Sequence, residues 1–317
     1  MRREYASIAA MAAILVGSQV AAIALSPFFY AGGFQAFSNP GDVTNTAVYI
    51  IMILAFTAVI LGLVRYRRQN LAKYVIIASI FVTLAFILLL PLYFGLLTAT
   101  GGMVDENLLV NLSTLLAFVI AGLLVYVLMK FPEWYVVDAI GIMTAAGVTA
   151  ILGISFGIVP AILLLLALAV YDAWAVYRTK HMITLADELT SQRLPILLVI
   201  PKKSGYSFRN QKSLKEQVAS GEEREAMFVG LGDLIIPGIL AVSAFTFSSP
   251  SGGYLLGILS NELIAIATVI GSLIGFLILM RFVLKGNPQA GLPLLNGGAV
   301  LGFLLANFLV YGYLNIL

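Results

Sequence analysis

The feature that most constrains this chain is a series of long apolar segments separated by short polar gaps. A helix needs about 20 mainly apolar residues to cross the hydrocarbon core of a membrane. Nine segments reach roughly that length, at 5–30, 46–64, 74–97, 108–129, 135–156, 158–177, 227–248, 255–280 and 292–314. The sequence therefore predicts an all-α polytopic membrane protein with nine transmembrane helices.

The basic residues orient these segments. All 18 Lys and Arg residues lie before the first segment or in the gaps after the second, fourth, sixth and eighth. In a nine-span topology those positions share one side of the membrane, and the positive-inside rule makes that side cytoplasmic. We expect a multi-pass protein of the cell membrane with a cytoplasmic N-terminus and an extracytoplasmic C-terminus.

The gap between the sixth and seventh segments is the longest. It divides the chain into a part with six spans (1–177), a charged cytoplasmic loop (178–226) and a part with three spans (227–317). The apolar run 196–200 inside the loop is predicted to form a strand or to pack against the membrane.

The residue types present exclude several kinds of site. The chain has no cysteine, which excludes disulfides, thiolate metal sites and cysteine nucleophiles. Its single histidine, His181, excludes metal sites built from several histidines. Two acids remain conspicuous, because Asp172 and Asp233 lie inside apolar spans, where an ionised carboxylate costs about 2.5–3.5 kcal/mol on insertion scales.

Asp172 and Asp233 are predicted to lie at the same depth. Asp172 comes six residues before Arg178, at the start of the loop, which places it roughly 9 Å into the membrane. Asp233 comes eight residues after Glu225, at the end of the loop, or roughly 12 Å. Both are therefore expected in the cytoplasmic half of the bilayer, at a depth where they could face each other.

A facing pair of carboxyl groups can hydrolyse a peptide bond. Two carboxylates in contact cannot both ionise, so they share one proton. One group then acts as a general base on a water molecule, and the other as a general acid toward the carbonyl oxygen. This chemistry needs only the two acids and water, so we expect no cofactor and no metal.

The residues around the two aspartates resemble a known family. Tyr171-Asp172 on the sixth span and the run 230–233, Gly-Leu-Gly-Asp, on the seventh are similar to the Tyr-Asp and Gly-x-Gly-Asp motifs of presenilins and signal peptide peptidases. Nine spans, a cytoplasmic segment after the sixth and an outside C-terminus also match. The family's Pro-Ala-Leu-Pro motif corresponds to 290–293, which reads Ala-Gly-Leu-Pro here and keeps only Leu-Pro.

The resemblance implies an intramembrane aspartyl protease in which Asp172 and Asp233 are catalytic. It further implies motif or substrate contacts at Tyr171, Gly230, Leu231, Gly232, Leu292 and Pro293. The implied substrates are transmembrane segments of other proteins within the lipid bilayer, and no nucleic acid is expected to bind. The chain looks more like a microbial homologue than an animal presenilin, and its oligomeric state stays open, a homo-oligomer included.

Three alternatives use some of the same residues. A proton or cation transporter also places acids inside the membrane, although it would more often show an inverted repeat, and none is visible. A prepilin-peptidase-like enzyme shares Gly-x-Gly-Asp. The run 153–157 fits the Gly-x-Ser-x-Gly pattern of serine nucleophiles, but Ser155 and His181 fall on opposite sides of the membrane, so a turn is expected there.

Other polar or small residues in the spans have simpler interpretations. Asp138 is expected at the membrane interface, near Lys130. Gln19 is expected to bond a neighbouring helix, and Gly271 and Gly275 form a Gly-x-x-x-Gly pair of the kind that packs helices closely.

Overall fold

In a computed structural model the chain folds into a bundle of helices with two small antiparallel strand pairs. The structure describes residues 2–66, 68–179, 197–202, 205–208, 226–250, 254–255, 258–284 and 289–316. His181 and most of the charged loop lie outside the described residues.

The described part of the chain contains nine apolar helices in the predicted order. They are α1 (Arg2–Ala31), α2 (Thr44–Arg65), α3 (Gln69–Thr100), α4 (Glu106–Lys130), α5 (Trp134–Ser155), α6 (Ile158–Trp174), α7 (Leu231–Phe247), α8 (Ser260–Val283) and α9 (Leu292–Tyr311). A π-helical turn, Ala175–Thr179, continues α6. Eight of the nine are long and apolar enough to cross a membrane, and α7 is a shorter apolar helix of 17 residues. The predicted polytopic α-helical fold is confirmed.

The helices differ widely in how much of their surface faces other helices. In the most apolar window of α5, 67% of the residues are buried, whereas in α2 the corresponding share is 6%. α5 packs against α1 and α7, and α7 in turn contacts α6, α8 and α9. The helix that carries Asp172, α6, packs directly against the helix that carries Asp233, α7. The relative position of the two aspartates therefore depends on the packing of the helices around α7.

Helices α8 and α9 form the most extensive contact in the bundle through glycines on both sides. A Cβ atom added to Gly271 would collide with the backbone of Gly298, and one added to Gly275 would collide with the backbone of Leu294. The absence of side chains lets the two backbones touch, which is how small residues drive helix association in membranes. The packing role predicted for Gly271 and Gly275 agrees with these contacts.

A buried polar contact joins α1 to α8. The hydroxyl of Ser272 donates to the side-chain oxygen of Gln19 at 3.2 Å, and both side chains are almost fully buried. This is the kind of interhelical bond predicted for Gln19.

The Gly-x-Ser-x-Gly run forms the turn between α5 and α6. Ser155 is fully buried and its hydroxyl oxygen accepts the N–H of Ala36 at 2.8 Å. The N–H of Gly157 donates to the carbonyl of Pro40 at 2.7 Å. Ser155 therefore anchors the loop between α1 and α2 instead of facing a cleft.

Two strands flank the undescribed part of the charged loop. β1 (Leu197–Pro201) pairs antiparallel with β2 (Ala226–Gly230), with Val199 opposite Phe228. The apolar run near residue 200 thus forms a strand, although Ile196 lies outside the described residues. A second, very short pair joins β3 (Tyr254–Leu255) and β4 (Ile258–Leu259) before α8.

Asp138, which was expected at the membrane interface near Lys130, is buried against β1. It is 7% exposed, and its Oδ1 accepts the N–H of Val199 in β1 at 2.8 Å. The sequence argument could not foresee this partner, because it comes from a strand 61 residues further along the chain.

Two predicted spans begin later as helices than hydropathy suggested. The seventh segment was predicted from 227, but 226–230 is β2 and the helix begins at Leu231. The eighth was predicted from 255, but the helix begins at Ser260, where Glu262 accepts the N–H of Leu259 at 3.2 Å. An apolar run looks the same to a hydropathy window whether it is helix or buried strand.

Candidate active site

Asp172 lies near the C-terminal end of α6, two residues before its last residue. The helix is a run of Leu and Ala that begins after Gly157, and its proline, Pro160, falls in the first turn. A proline is tolerated there because the first N–H groups of a helix have no partner within it. The uninterrupted helix then carries Asp172, half-buried, to the end of the span.

Asp233 lies in the first turn of α7. Gly230 ends β2 and also precedes the helix, with extended backbone angles of φ −67° and ψ 140°. The carboxyl of Asp233 is therefore at the N-terminal end of a helix, where the macrodipole favours negative charge. Like Asp172, Asp233 is half-buried.

The two carboxyl groups meet at the start of α9. Oδ2 of Asp172 accepts the N–H of Leu292 at 3.0 Å. A Cβ atom placed on Gly291 would lie 3.2 Å from each carboxyl oxygen of Asp233. Both carboxyls thus lie against one short stretch of chain at the start of α9. The predicted convergence of the pair agrees with this geometry.

The N–H groups at the start of α9 explain why Asp172 binds there. The first N–H groups of a helix need partners from outside the helical ladder. Leu292 donates to Asp172, and Gly291 makes a second backbone contact with the same carboxyl. Pro293 has no N–H, and Leu294 donates to the carbonyl of Gly291 at 3.2 Å. Asp172 therefore caps α9 from a neighbouring helix.

A second bond holds α9 against α6 one turn further into the membrane. The side-chain nitrogen of Asn296 donates to the carbonyl of Leu165 at 2.8 Å, and Asn296 is fully buried. On the other side of the pair, the hydroxyl of Tyr177 donates to the side-chain oxygen of Gln289 at 2.8 Å. Hydrogen bonds on both sides of the contact between Asp172 and Leu292 therefore join α6 and its π-helical turn to the start of α9 and the residues before it.

The glycines before Asp233 leave room beside it. A Cβ on Gly232 would meet no atom within 4 Å, and Gly232 is exposed. A Cβ on Gly230 would meet only the Asp233 carboxyl, at 3.8 Å. Neither glycine packs against another helix, so the close-packing explanation does not apply to them. Leu231, between them, packs at the edge of a buried cluster that includes Leu234.

Tyr171 does not point between the aspartates. Its side chain is 50% exposed, and its ring centroid lies 6.3 Å from that of Trp174 on the outer face of α6. Of the predicted motif residues, the structure brings Gly230 and Leu292 beside the pair and leaves the side chain of Tyr171 exposed.

Sequence reasoning missed the importance of Gly291. It was noted only as a departure from the Pro-Ala-Leu-Pro pattern. In the structure, the carboxyl of Asp233 lies close beside Gly291, where a Cβ atom would crowd it. The departure itself was the available signal. A surface cleft of about 500 Å³, lined in part by Phe34, Val82 and Ile151, involves none of these residues.

Comparisons with known proteins agree with the geometry. Residues 12–312 match the family model described as signal-peptide peptidase, presenilin aspartyl protease. Two solved structures of a presenilin family intramembrane aspartate protease, in space groups C222 and P2, are each 34% identical to this chain and cover 95% of it. The match covers 99% and 97% of those chains, with TM-scores of 0.66 and 0.65. A search among curated proteins finds no match.

The family model extends over nearly the whole bundle, including both aspartate-bearing helices and the start of α9. This chain therefore belongs to the signal peptide peptidase and presenilin family of intramembrane aspartyl proteases.

Proposed function

We propose that Asp172 and Asp233 are the catalytic pair of this intramembrane aspartyl protease. The observation that carries the proposal is the convergence of both carboxyls on Gly291 and Leu292. Acids from two different spans reach adjacent residues of a third span, and buried acids in an apolar bundle are costly unless they have a function.

The proposed chemistry needs one proton on the pair. One carboxylate takes a proton from a bound water as the water oxygen bonds to the substrate carbonyl carbon, and the other carboxyl gives its proton to the carbonyl oxygen. As the resulting diol collapses, one carboxylate takes a proton from a diol hydroxyl and the other carboxyl protonates the amide nitrogen, so that the carbon–nitrogen bond breaks and leaves a carboxylic acid and an amine. Water is consumed, and the pair returns to its starting protonation state.

The substrate must present an extended peptide to the pair. In a transmembrane helix every backbone carbonyl is hydrogen-bonded, so local unwinding has to come before attack. We propose that the open space at Gly232 admits that segment, with Gly230 and Leu231 beside it. Leu292 and Pro293 hold the facing backbone in place, and Tyr171 shapes the lipid-facing rim.

We also propose that the pair lies in the cytoplasmic half of the cell membrane. The distribution of Lys and Arg supports this orientation. Because the chain has no cysteine, a single cysteine reports its side of the membrane without interference. Tyr66 and Met103 are 80% and 92% exposed in loops at opposite ends of α3. Tyr66→Cys should react with an impermeant maleimide only in inverted vesicles, and Met103→Cys only in intact cells; the reverse pattern overturns the orientation.

The catalytic assignment is tested by cleavage of a transmembrane peptide in detergent. Asp172→Ala and Asp233→Ala should each abolish cleavage, while the control Asp105→Asn should cleave as the parent does. Asp105 is an exposed helix cap outside the site whose side chain accepts two backbone N–H groups. Full cleavage by either alanine variant would refute the assignment.

The pH profile provides a second test. Cleavage should fall at alkaline pH, where the pair loses its shared proton. Activity that stays flat well into the alkaline range would count against a shared proton. The transport alternative is not favoured, because the family and both similar structures are proteases.

A further inference from the structure

Asp138 is a buried carboxyl that the proposed mechanism does not use. It lies in α5, is 7% exposed, and its Oδ1 accepts the N–H of Val199 at 2.8 Å. Burial of a carboxyl is costly even with one hydrogen bond, and acids inside membrane spans usually have a function. Its partner is a backbone group of β1, not a side chain.

β1 carries no apolar pattern that would fix its own register. Leu198, Val199 and Ile200 are exposed by only 1%, 0% and 7%. Val199 enters a cluster formed with α3, α4 and α5, whereas Leu198 and Ile200 enter a cluster formed with α1, α7, α8 and α9. Because both faces of the strand are apolar and buried, a slip of one residue would bury similar side chains.

The register of β1 is transmitted to Asp233. Leu197 pairs with Gly230, which leads directly into α7, and Asp233 is the third residue of that helix. A slip of one residue moves a strand by about 3.3 Å. A misplacement of about 1 Å at a reacting group can already cost about 100-fold in rate.

α5 also holds the chain just beyond β1. The two carboxyl oxygens of Glu133 accept the hydroxyl of Ser207 at 2.8 Å and the N–H of Phe208 at 3.1 Å. Asp138 in α5 and Glu133, the residue just before α5, therefore hold β1 and the segment that follows it. Since α5 is the most buried of the long helices, it is a rigid support for this attachment.

We propose that Asp138 is a positioning residue whose carboxyl oxygen fixes the register of β1, and through β2 the place of Asp233 relative to Asp172. The inference rests on the proposed catalytic role of Asp233. The hydrogen-bond acceptor is what matters, and the negative charge is not required. In coiled coils, a single buried polar residue can set the register of the helices at some cost in stability.

The first test compares cleavage with stability. Asp138→Asn keeps an acceptor oxygen and should cleave within about twofold of the parent. Asp138→Leu removes the acceptor at similar volume and should lower kcat by at least tenfold, with little change in KM, while the melting temperature stays level or rises. The control Thr144→Val, on the same helix, removes a buried hydroxyl that has no partner among the described residues and should change neither quantity.

The second test reads the register directly and does not depend on catalysis. Val199 and Phe228 face each other, and both side chains contact the same cluster. The chain has no cysteine of its own, so Val199→Cys and Phe228→Cys together introduce a single cysteine pair. This pair should form a disulfide in the otherwise unchanged chain and in the Asp138→Asn variant, and should form it poorly in the Asp138→Leu variant. Should Asp138→Leu fail to accumulate, Asp138→Ala supplies the same comparison.

The inference would be overturned by full cleavage by Asp138→Leu, by loss of cleavage by Asp138→Asn, or by an unchanged disulfide yield with Asp138→Leu. Cleavage that falls only in proportion to melting temperature would also overturn it, because that is the result of a structural role. If cleavage instead survives Asp233→Ala, the proposed function fails, and the disulfide yields still report the role of Asp138 in the register.

Discussion

Gly291→Ala is the substitution for which the structure makes the sharpest prediction. The added Cβ would lie 3.2 Å from both carboxyl oxygens of Asp233 and 3.4 Å from its carboxyl carbon. Contacts of 3.2 Å are tighter than nine in ten real Cβ contacts, so the carboxyl must shift by a few tenths of an ångström. The backbone at Gly291, with φ −77° and ψ −51°, accepts alanine without strain.

The magnitude follows from the size of that shift. Misplacing a catalytic group by about 1 Å can cost about 100-fold in rate, equivalent to about 2.7 kcal/mol of barrier. A third of that displacement, scaled linearly, raises the barrier by about 0.9 kcal/mol and slows cleavage about fivefold. Stability should change in the opposite direction, because replacing glycine by alanine at a compatible site stabilises a protein by about 0.4–1 kcal/mol.

The assay is the rate of cleavage of a transmembrane peptide, measured beside thermal unfolding in the same detergent. Gly297→Ala is the matched control, since it lies on the same helix and its Cβ would meet nothing within 4 Å. We expect Gly297→Ala to cleave normally, and Gly291→Ala to cleave about fivefold more slowly without loss of stability. Equal rates for the two variants would refute the argument that Asp233 rests against Gly291.

Three further predictions concern other parts of the bundle. Gly298→Ala should lower the free energy of unfolding by about 1–3 kcal/mol, since its Cβ would collide with the backbone of Gly271, and normal thermal unfolding would contradict that packing. Ser155→Ala should also lower the melting temperature, because the N–H of Ala36 loses its acceptor, and cleavage measured below that temperature should be normal; an abolished reaction would instead revive the serine-nucleophile hypothesis. Pro293→Ala should weaken cleavage severalfold with the fold intact, because the proline fixes the backbone where α9 begins, and unchanged kinetics would remove Pro293 from the site.

The site could be predicted in part because depth along a span is a property of sequence distance. Counting residues from Arg178 and Glu225 placed both aspartates near one level, since each helical residue advances by about 1.5 Å. The same counting could not show that Asp172 would bind the N–H of Leu292, because the two residues are 120 positions apart. Nor could it show that Asp233 would rest against a glycine.

The strand β2 shows where hydropathy fails. Residues 226–230 continue an apolar run into α7, so the predicted span began inside them. They form a strand because β1 offers an antiparallel partner, and that partner is itself held by Asp138. Pairing between distant segments overrides local preference, a common outcome for strands.

What the sequence determined by itself is the number, order and apolar character of the helices, and it also predicts the depth of the two acids within them. These follow from sums along the chain, because a membrane requires a minimum apolar length and excludes charge. What only the tertiary structure decided is which groups face each other: Leu292 against Asp172, Gly291 against Asp233, and Val199 against Asp138. Lipid cannot select among apolar faces of similar helices, so these pairings depend on close packing and on the few hydrogen bonds that buried polar groups must satisfy.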